Sequence, residues 1–204
     1  MNETIQPGLG IGKLRLGMGV REALRLRGRP NSTEWVGLST SKNPKPVLTG
    51  NLELLWWEGG TADDPESWLV AHVQHERIVQ LSAMGANYRL GNGISTTSDF
   101  ARIRKAYPKL TVRAAYFGSE DEPGYVGYFF DDVRQGVAVT KGTQDDEGLY
   151  SELPKLTPES IVVHPVRQRV LLMEHGLVGL EEKPLGKTSQ RIAAWLAGGA
   201  LKPL

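Results

Sequence analysis

Two Gly-Lys segments have the residue types of a phosphate-binding loop. Such a loop needs a glycine, four further residues, Gly-Lys and then Ser or Thr, because its backbone N–H groups and its lysine surround the phosphates. At Gly12-Lys13, the first glycine is replaced by Pro7 and the Ser or Thr by Leu14. At Gly186-Lys187-Thr188, only the first glycine is wrong, since Glu181 occupies its position. We interpret this second segment as a capped helix start and predict no nucleotide site and no other cofactor.

The residues closest to a metal-binding pattern are His72, His75 and Glu76. The sequence around them alternates as a strand does, and strand residues three positions apart point to opposite faces of a sheet. His72 and His75 therefore cannot hold one ion together. The chain has no cysteine, which excludes zinc–thiolate and iron–sulfur sites. We predict no bound metal.

Three pairs of adjacent acids could supply carboxylates for acid–base catalysis: Asp63-Asp64, Asp131-Asp132 and Asp145-Asp146. That chemistry needs two carboxyl groups at a set separation in a cleft, with pKa values pushed apart. Adjacent acids in polar segments are instead typical of solvated turns. We therefore assign no catalytic residue, and the sequence favours a non-enzymatic protein over an enzyme without excluding an enzyme.

The charge balance limits the class of partner. The chain of 204 residues has 24 Lys and Arg residues and 23 Asp and Glu residues, which gives a formal net charge of +1. Such a balance provides no electrostatic attraction to nucleic acid or to an anionic membrane. The short basic run with Arg25, Arg27 and Arg29 is interpreted as a solvated helix end. We predict no nucleic-acid partner.

The hydropathy pattern indicates a globular protein without a membrane span. Hydrophobic residues make up 40% of the chain and charged residues 23%, values that are typical of folded domains. No apolar run approaches the ~18 residues of a membrane-spanning helix. The polar N-terminal segment lacks the charged and apolar regions of a signal peptide. We expect a cytoplasmic location, or a secreted or periplasmic one if a leader has been removed.

One pattern occurs twice along the chain. Gly10-Ile11-Gly12 and Gly91-Asn92-Gly93 each precede a short basic amphipathic helix that ends near a proline. The first helix is predicted between Gly19 and Gly28, with Val20, Ala23 and Leu24 on its apolar face. The second is predicted between Asp99 and Pro108, with Phe100, Ile103 and Tyr107 as its apolar stripe.

After each helix the apolar period shortens to two, which indicates strands. In the first unit, three alternating runs follow the helix, and His75-Glu76 is predicted to turn between the last two. In the second unit, the strand candidates are TVRAAYFG, GYVGYFFD, GVAVTKG and SIVVHP. We predict an α+β fold with two pseudo-repeats, residues 1–87 and 88–165. In each, a helix or helix pair is followed by antiparallel strands, and together they form a two-layer sandwich.

A C-terminal helical tail is predicted over residues 166–204. Pro165 can occupy the first turn of a helix in which Val166, Val170 and Met173 share one face. A second tail helix is predicted after Thr188 and Ser189. Its packing face contains Ile192, Trp195 and Leu196.

The first repeat resembles a bacterial superfamily that includes the β-lactamase inhibitor protein and the small outer-membrane assembly lipoproteins. The matching residues of its LGM-T-x-x-E-V and LG-x-P signature are Leu16-Gly17-Met18, Glu22 and Gly28-Arg29-Pro30. Gly19 replaces the usual threonine and Ala23 the usual valine. The second repeat resembles a related form of the signature through Gly91, Gly93, Thr97, Asp99 and Ala106-Tyr107.

The resemblance covers residues 8–165 and implies how such a protein acts. It implies helices laid against one side of a sheet, a bare sheet face that is available to proteins, and action by binding without chemistry. The lipoproteins carry a lipidated cysteine, which this chain lacks.

These observations together predict a non-enzymatic protein-binding module of inhibitor, immunity or assembly-factor type. Its partner is another protein or a second copy of the chain. Strand alternation assigns to the bare face a set of aromatic and polar residues typical of interfaces: Trp57, Trp68, His72, Gln74, Gln80, Arg113 and Tyr128.

Three alternatives stay open. One is an enzyme or small-ligand binder with a pocket between the repeats, which uses His72 or His164 with a loop carboxylate. Another is a structural protein that associates with itself. In the third, the face assigned to the partner is a second core, covered by the tail or by a second copy.

Overall fold

The computed structural model describes residues 3–40, 43–60, 66–117, 125–144, 146–172, 181–183 and 186–200. Within these residues the chain is an α+β protein with four α-helices and thirteen strands, in two sheets of mostly antiparallel pairs. None of the described helices has the length and apolar character needed to cross a membrane. The α+β class predicted from the sequence is confirmed.

A small sheet of four strands opens the chain. It contains β1 (Glu3–Gln6), β2 (Gly10–Ile11), β3 (Leu14–Arg15) and a later strand, β8 (Tyr88–Leu90), in the order β3-β2-β1-β8. β1 pairs antiparallel with β2 and parallel with β8. Gly10 is required in this sheet because a Cβ at its position would lie 2.0 Å from the Leu14 carbonyl oxygen. The first glycine motif therefore builds a close β2–β3 hairpin.

The first half of a larger sheet follows helix α1 (Val20–Arg27). The helix ends at Gly28, whose φ of +88° is readily adopted only by glycine. Four strands then form an antiparallel meander: β4 (Ser32–Thr40), β5 (Asn43–Glu58), β6 (Ser67–Gln74) and β7 (Arg77–Met84). His75 and Glu76 both have positive φ and form the tight β6–β7 turn that the sequence predicts.

The second half of the sheet follows helix α2 (Phe100–Ala106). Asp99 caps this helix by accepting the Arg102 backbone N–H at 2.7 Å. A second antiparallel meander contains β9 (Thr111–Phe117), β10 (Tyr125–Asp132), β11 (Val137–Thr143) and β12 (Ser160–Val163). Helix α3 (Asp146–Glu152) and a 3₁₀ turn (Leu153–Lys155) lie between β11 and β12.

The two meanders join at β7 and β12, which pair antiparallel. The resulting sheet of nine strands has the order β13-β9-β10-β11-β12-β7-β6-β5-β4, with the short strand β13 (Glu181–Lys183) at one edge. Each meander therefore begins away from the junction and ends at it: β4 to β7 approach the junction from one edge of the sheet, and β9 to β12 approach it from the other. Each half is a helix followed by a meander of four strands.

The described helices all pack against one face of this sheet. Alternate strand residues join α1, α2, α3 and helix α4 (Lys187–Leu196) in one main core, which includes Ala23, Leu69, Ile103, Phe130, Leu149 and Trp195. In α4, Ile192, Trp195 and Leu196 are buried. We call this side of the sheet the helix face and the opposite side the far face.

A non-helical segment crosses the far face. We call residues 165–172 the strap; they form turns and extended chain in the place where the sequence predicts a helix. Arg167 has a left-handed φ of +63°, which is incompatible with an α-helix. The prediction of a helix after Pro165 is therefore wrong, and Met173 lies outside the described residues.

The strap is held by contacts that the local sequence does not show. Val170 is buried in a second, smaller core on the far face, against Ala115, Phe129, Ala138 and Val162. Its backbone N–H donates to the Asp131 carboxylate at 3.0 Å. These tertiary contacts override the helical spacing of Val166 and Val170, since propensity is a weak determinant beside burial.

Candidate functional site

Strand alternation places six of the seven predicted interface residues on the far face: Trp57, Trp68, His72, Gln74, Gln80 and Arg113. The prediction is wrong for Tyr128, which is fully buried in the main core. On β10, Phe129 packs in the far-face core, so Tyr128 must point to the helices.

Two tryptophans form the most exposed aromatic feature of this set. Trp57 on β5 and Trp68 on β6 are directly opposite each other, and each is half-buried. Met84 is opposite Trp68 on β7 and is also half-buried. We call these three side chains the tryptophan row. Because neighbouring cross-strand side chains touch, the row is a continuous apolar strip that stays partly in contact with water.

The centre of the far face is covered. His72 is 1% exposed and Gln80 is 0% exposed, so the prediction of a bare face is wrong for these two residues. Gln80 lies under the strap and hydrogen-bonds to Leu171. At these two residues the far face is a second core, which was one of the alternatives left open by the sequence. Gln74 and Arg113, by contrast, are half-buried.

Three buried polar residues lie in a line across β5, β6 and β7. His72 Nδ1 is 3.0 Å from Glu53 Oε1, and His72 Nε2 is 3.5 Å from Ser82 Oγ. The first of these is a close contact whose geometry is not that of an aligned hydrogen bond. Carboxylate, imidazole and hydroxyl in this order are the groups that activate a serine nucleophile. None of the three side chains is more than 5% exposed.

The surroundings of Ser82 are unfavourable for acyl transfer. Ser82 is opposite Val70 on β6 and Val162 on β12, so β7 is paired on both sides at this point. Acyl transfer needs N–H donors aimed at the developing oxyanion, and the N–H groups of a central strand are used in the sheet ladder. The neighbouring backbone therefore does not complete a catalytic site.

A second buried pair joins β10 to His164, the residue before the strap. Asp131 Oδ1 is 2.9 Å from His164 Nε2, and Asp131 Oδ2 accepts the Val170 N–H. His164 Nδ1 is 3.2 Å from the Pro165 carbonyl oxygen. Asp131 is 0% exposed and His164 is 1% exposed. Asp131 thus contacts His164, which immediately precedes the strap, and Val170 within the strap.

The prediction of solvated acid pairs is wrong for Asp131 and Asp132, which are both buried. Asp132 closes the β10–β11 turn by accepting the backbone N–H groups of Arg134 and Gln135 at 3.1 and 3.3 Å. Asp146 begins α3. The acids Asp63, Asp64 and Asp145 lie outside the described residues.

Two further side chains of the far face bind the strap through its backbone. The Leu171 N–H donates to Gln80 Oε1 at 2.9 Å, and Gln80 Nε2 donates to the Leu171 carbonyl oxygen at 3.3 Å. Arg113 Nη1 donates to the Val170 carbonyl oxygen at 2.7 Å. Both residues were predicted to contact a protein, and here they contact the chain itself.

A cleft of about 530 Å³ lies between β1, the end of α1 and β5. At its centre, Arg27 is ion-paired with Glu3, donates to the Tyr88 hydroxyl at 3.0 Å and lies 5.8 Å from the Trp56 ring centre. Burial raises the pKa of Tyr88 to about 12, and the charge of Arg27 opposes this shift. The charge of Arg27 is therefore already engaged by partners within the protein.

Sequence reasoning missed Glu53 and the strap, and it treated Asp131 only as half of a solvated acid pair. Glu53 and Asp131 each lie in an apolar strand run at the position where the side chain points away from the main core. A single acid in such a run signals a buried partner, because an unpaired buried carboxylate is costly. Among the described residues, no group of three or more His, Asp and Glu side chains could hold a metal ion.

Comparison with known proteins finds distant structural similarity and no match in sequence. No protein-family model matches the chain, and no characterised protein matches it in sequence. An extracellular protein containing an SCP domain from Bacillus anthracis aligns with a TM-score of 0.41 at 10% identity, over 74% of this chain and 44% of that one. A cysteine-rich secretory protein from Staphylococcus aureus aligns with a TM-score of 0.38 at 11% identity, over 80% and 48%. The chain thus spans less than half the length of either protein.

Proposed function

We propose that the protein is a non-enzymatic module that binds another protein, of the inhibitor, immunity or assembly-factor type. The observation that carries the proposal is the tryptophan row, because Trp57 and Trp68 are paired on the side of the sheet opposite all four described helices. Tryptophan dominates the energetics of many interfaces, since one side chain offers roughly 150–250 Å² of surface. A half-buried pair is already held in place by the sheet, so little side-chain freedom is lost when a partner binds.

We further propose that the two halves are copies of one scaffold, as the glycine motifs and the resemblance to the β-lactamase inhibitor superfamily suggest. The topology supports this, because each half is a helix followed by a meander of four strands. The strap packs on far-face residues of the second half, such as Phe129 and Val162, whereas the tryptophan row lies on the first half. This difference supports the first copy as the one that presents aromatic side chains to the partner.

Replacing Trp57 with alanine should weaken partner binding at least tenfold, about 1.4 kcal/mol, as loss of an interface anchor does. The free energy of unfolding should fall by no more than about 1 kcal/mol, because the side chain is only half-buried. Immobilised variants would capture proteins from a lysate of the source organism, quantified by mass spectrometry, and urea denaturation would give the stability.

Two variants control this experiment. Arg25→Ala changes an exposed residue of α1 on the helix side and should capture the same partner as the unchanged protein. Trp56→Ala removes a buried indole that donates to the Gly28 carbonyl oxygen, and should cost about 3–5 kcal/mol of stability. Equal capture by Trp57→Ala and the unchanged protein would refute the tryptophan row as the binding surface. If the captured protein is a second copy of this chain, the protein associates with itself through this surface.

The alternative that the protein is an enzyme would place hydrolysis at Ser82, because Glu53, His72 and Ser82 lie next to one another in that order. A fluorophosphonate probe tests it, because an activated serine oxygen displaces fluoride from phosphorus and becomes covalently labelled. We expect no labelling of Ser82 in the folded protein, since the side chain is buried within a paired strand. Labelling at Ser82 that is lost in the His72→Gln variant would support the hydrolase and contradict a non-enzymatic module.

A further inference from the structure

The far face binds the strap in a way that would suit any extended peptide. Four hydrogen bonds join sheet side chains to the backbone N–H and C=O groups of Val170 and Leu171, from Asp131, Arg113 and both ends of the Gln80 amide. Bonds to the backbone recognise an extended conformation and not particular side chains, as in proteins that bind peptides by adding a strand.

The apolar part of the contact supplies a preference for one residue. The Val170 side chain fills a pocket whose walls are Ala115, Phe129, Ala138 and Val162, and the side chain is 1% exposed. Short alanine side chains on two sides leave room for a β-branched aliphatic residue. A charged residue at this position would be buried without a partner.

The rest of the strap has exposed side chains and is held by its backbone, since the Arg167 N–H donates to the Val133 carbonyl oxygen at 2.7 Å. Val166 is 50% exposed, and Arg167, Gln168 and Arg169 are exposed as well. Arg167 has φ of +63°, a strained conformation for a residue with a Cβ. A cleft of about 320 Å³ separates part of the strap from β7. Segments with few buried contacts open locally at lower cost than the core of a protein.

We infer that the far face carries a peptide-binding groove, formed by Gln80, Arg113, Asp131 and the Val170 pocket, and that the strap occupies it as an internal ligand. The partner that fits is a protein with an extended segment in which a small β-branched aliphatic residue takes the place of Val170. This inference rests on the proposed protein-binding function and names the chemistry of the partner. The strap must leave for the partner to bind.

The covalent attachment of the strap to the rest of the chain determines how strongly it competes with a free peptide for the groove. A segment joined to its own groove acts at an effective concentration of about millimolar. The unchanged protein should therefore bind a free peptide weakly, and a strap that cannot enter the pocket should leave the groove open.

A synthetic peptide tests the groove. The probe is a fluorescent peptide with the sequence of residues 165–172, followed by fluorescence anisotropy. We expect the Val170→Asp variant to bind it at least about tenfold more tightly than the unchanged protein, because its own strap no longer competes. A peptide with aspartate in the valine position should not bind either protein. Adding Arg113→Met to the variant should weaken binding, since one backbone bond is lost.

The outcomes separate this inference from the proposed function. Equal affinity of both proteins for the peptide, or binding that ignores the valine, would overturn the groove. If Val170→Asp does not fold, hydrogen exchange at the Leu171 N–H in the unchanged protein replaces it, and a saturating peptide should accelerate that exchange. Exchange unaffected by the peptide would also overturn the groove.

Failure of these peptide experiments, with capture still lost in Trp57→Ala, refutes only the groove. Peptide binding with capture intact in Trp57→Ala refutes only the tryptophan row.

Discussion

Replacing Asp131 with alanine is expected to lower the free energy of unfolding by about 3–5 kcal/mol, the cost of breaking a buried pair by removing one member. The carboxylate is 0% exposed and contacts both His164 Nε2 and the Val170 N–H. Without it, a buried imidazole faces no charge and a buried N–H loses its acceptor. Urea denaturation at neutral pH, followed by circular dichroism, measures the change.

Glu159→Ala is the matched control for this variant. Glu159 also contacts a basic side chain and a backbone N–H, those of Lys141 and Gly142, but its side chain is 40% exposed. Exposed pairs of this kind contribute about 0–1 kcal/mol. If Asp131→Ala cost no more than Glu159→Ala, the strap would not depend on Asp131, and our description of the far face would be wrong.

The second large effect concerns the helix face. Ile103→Ala should cost about 2–5 kcal/mol, since deletion of buried methyl groups leaves a cavity that the core fills only in part. Ile103 is 0% exposed and lies in the main core. Met18→Ala should fall near the lower end of that range, because Met18 packs on the same core while only half-buried.

Arg102→Ala controls for changes to α2 that leave the core intact. Arg102 is exposed, and the Asp99 cap uses its backbone N–H, which the substitution keeps. Its cost should stay within about 0.5 kcal/mol. Similar losses for Arg102→Ala and Ile103→Ala in the same denaturation series would contradict the assignment of the apolar stripe.

Local signals predicted the elements whose conformation is decided by nearby residues. α1 and α2 form where glycine, proline and capping residues bound an apolar stripe, and His75-Glu76 turns where the alternation breaks. Alternation also assigned Trp57 and Trp68 to the same face, because each is next to a residue of the main core, Trp56 and Leu69 respectively. At these positions, interactions between residues only a few positions apart in the sequence decide the local conformation.

Alternation was insufficient on β10. Val126, Tyr128 and Phe130 pack in the main core, and Phe129 packs on the far face. This strand is therefore buried on both sides, and its sequence does not alternate between apolar and polar residues over this stretch. The prediction for Tyr128 failed for that reason. A central strand that is covered on both faces loses the period-two pattern, as buried parallel strands do.

The strap and the buried acids depend on contacts between distant parts of the sequence. Asp131 and Val170 are far apart in the chain, as are Gln80 and Leu171. The helical spacing of Val166 and Val170 was a correct observation about the sequence, but burial of Val170 beside Phe129 decided the conformation. Only the arrangement of the whole sheet shows which polar side chains meet.

Site-specific photo-cross-linking in cells of the source organism tests the far face most directly. One variant carries a photoreactive amino acid in place of Trp57, and the control carries it in place of Arg25, which is exposed on α1. The account predicts a discrete cross-linked protein from position 57 that is absent from position 25. The same cross-linked pattern from both positions, or no product from position 57, would contradict a partner-binding surface at the tryptophan row.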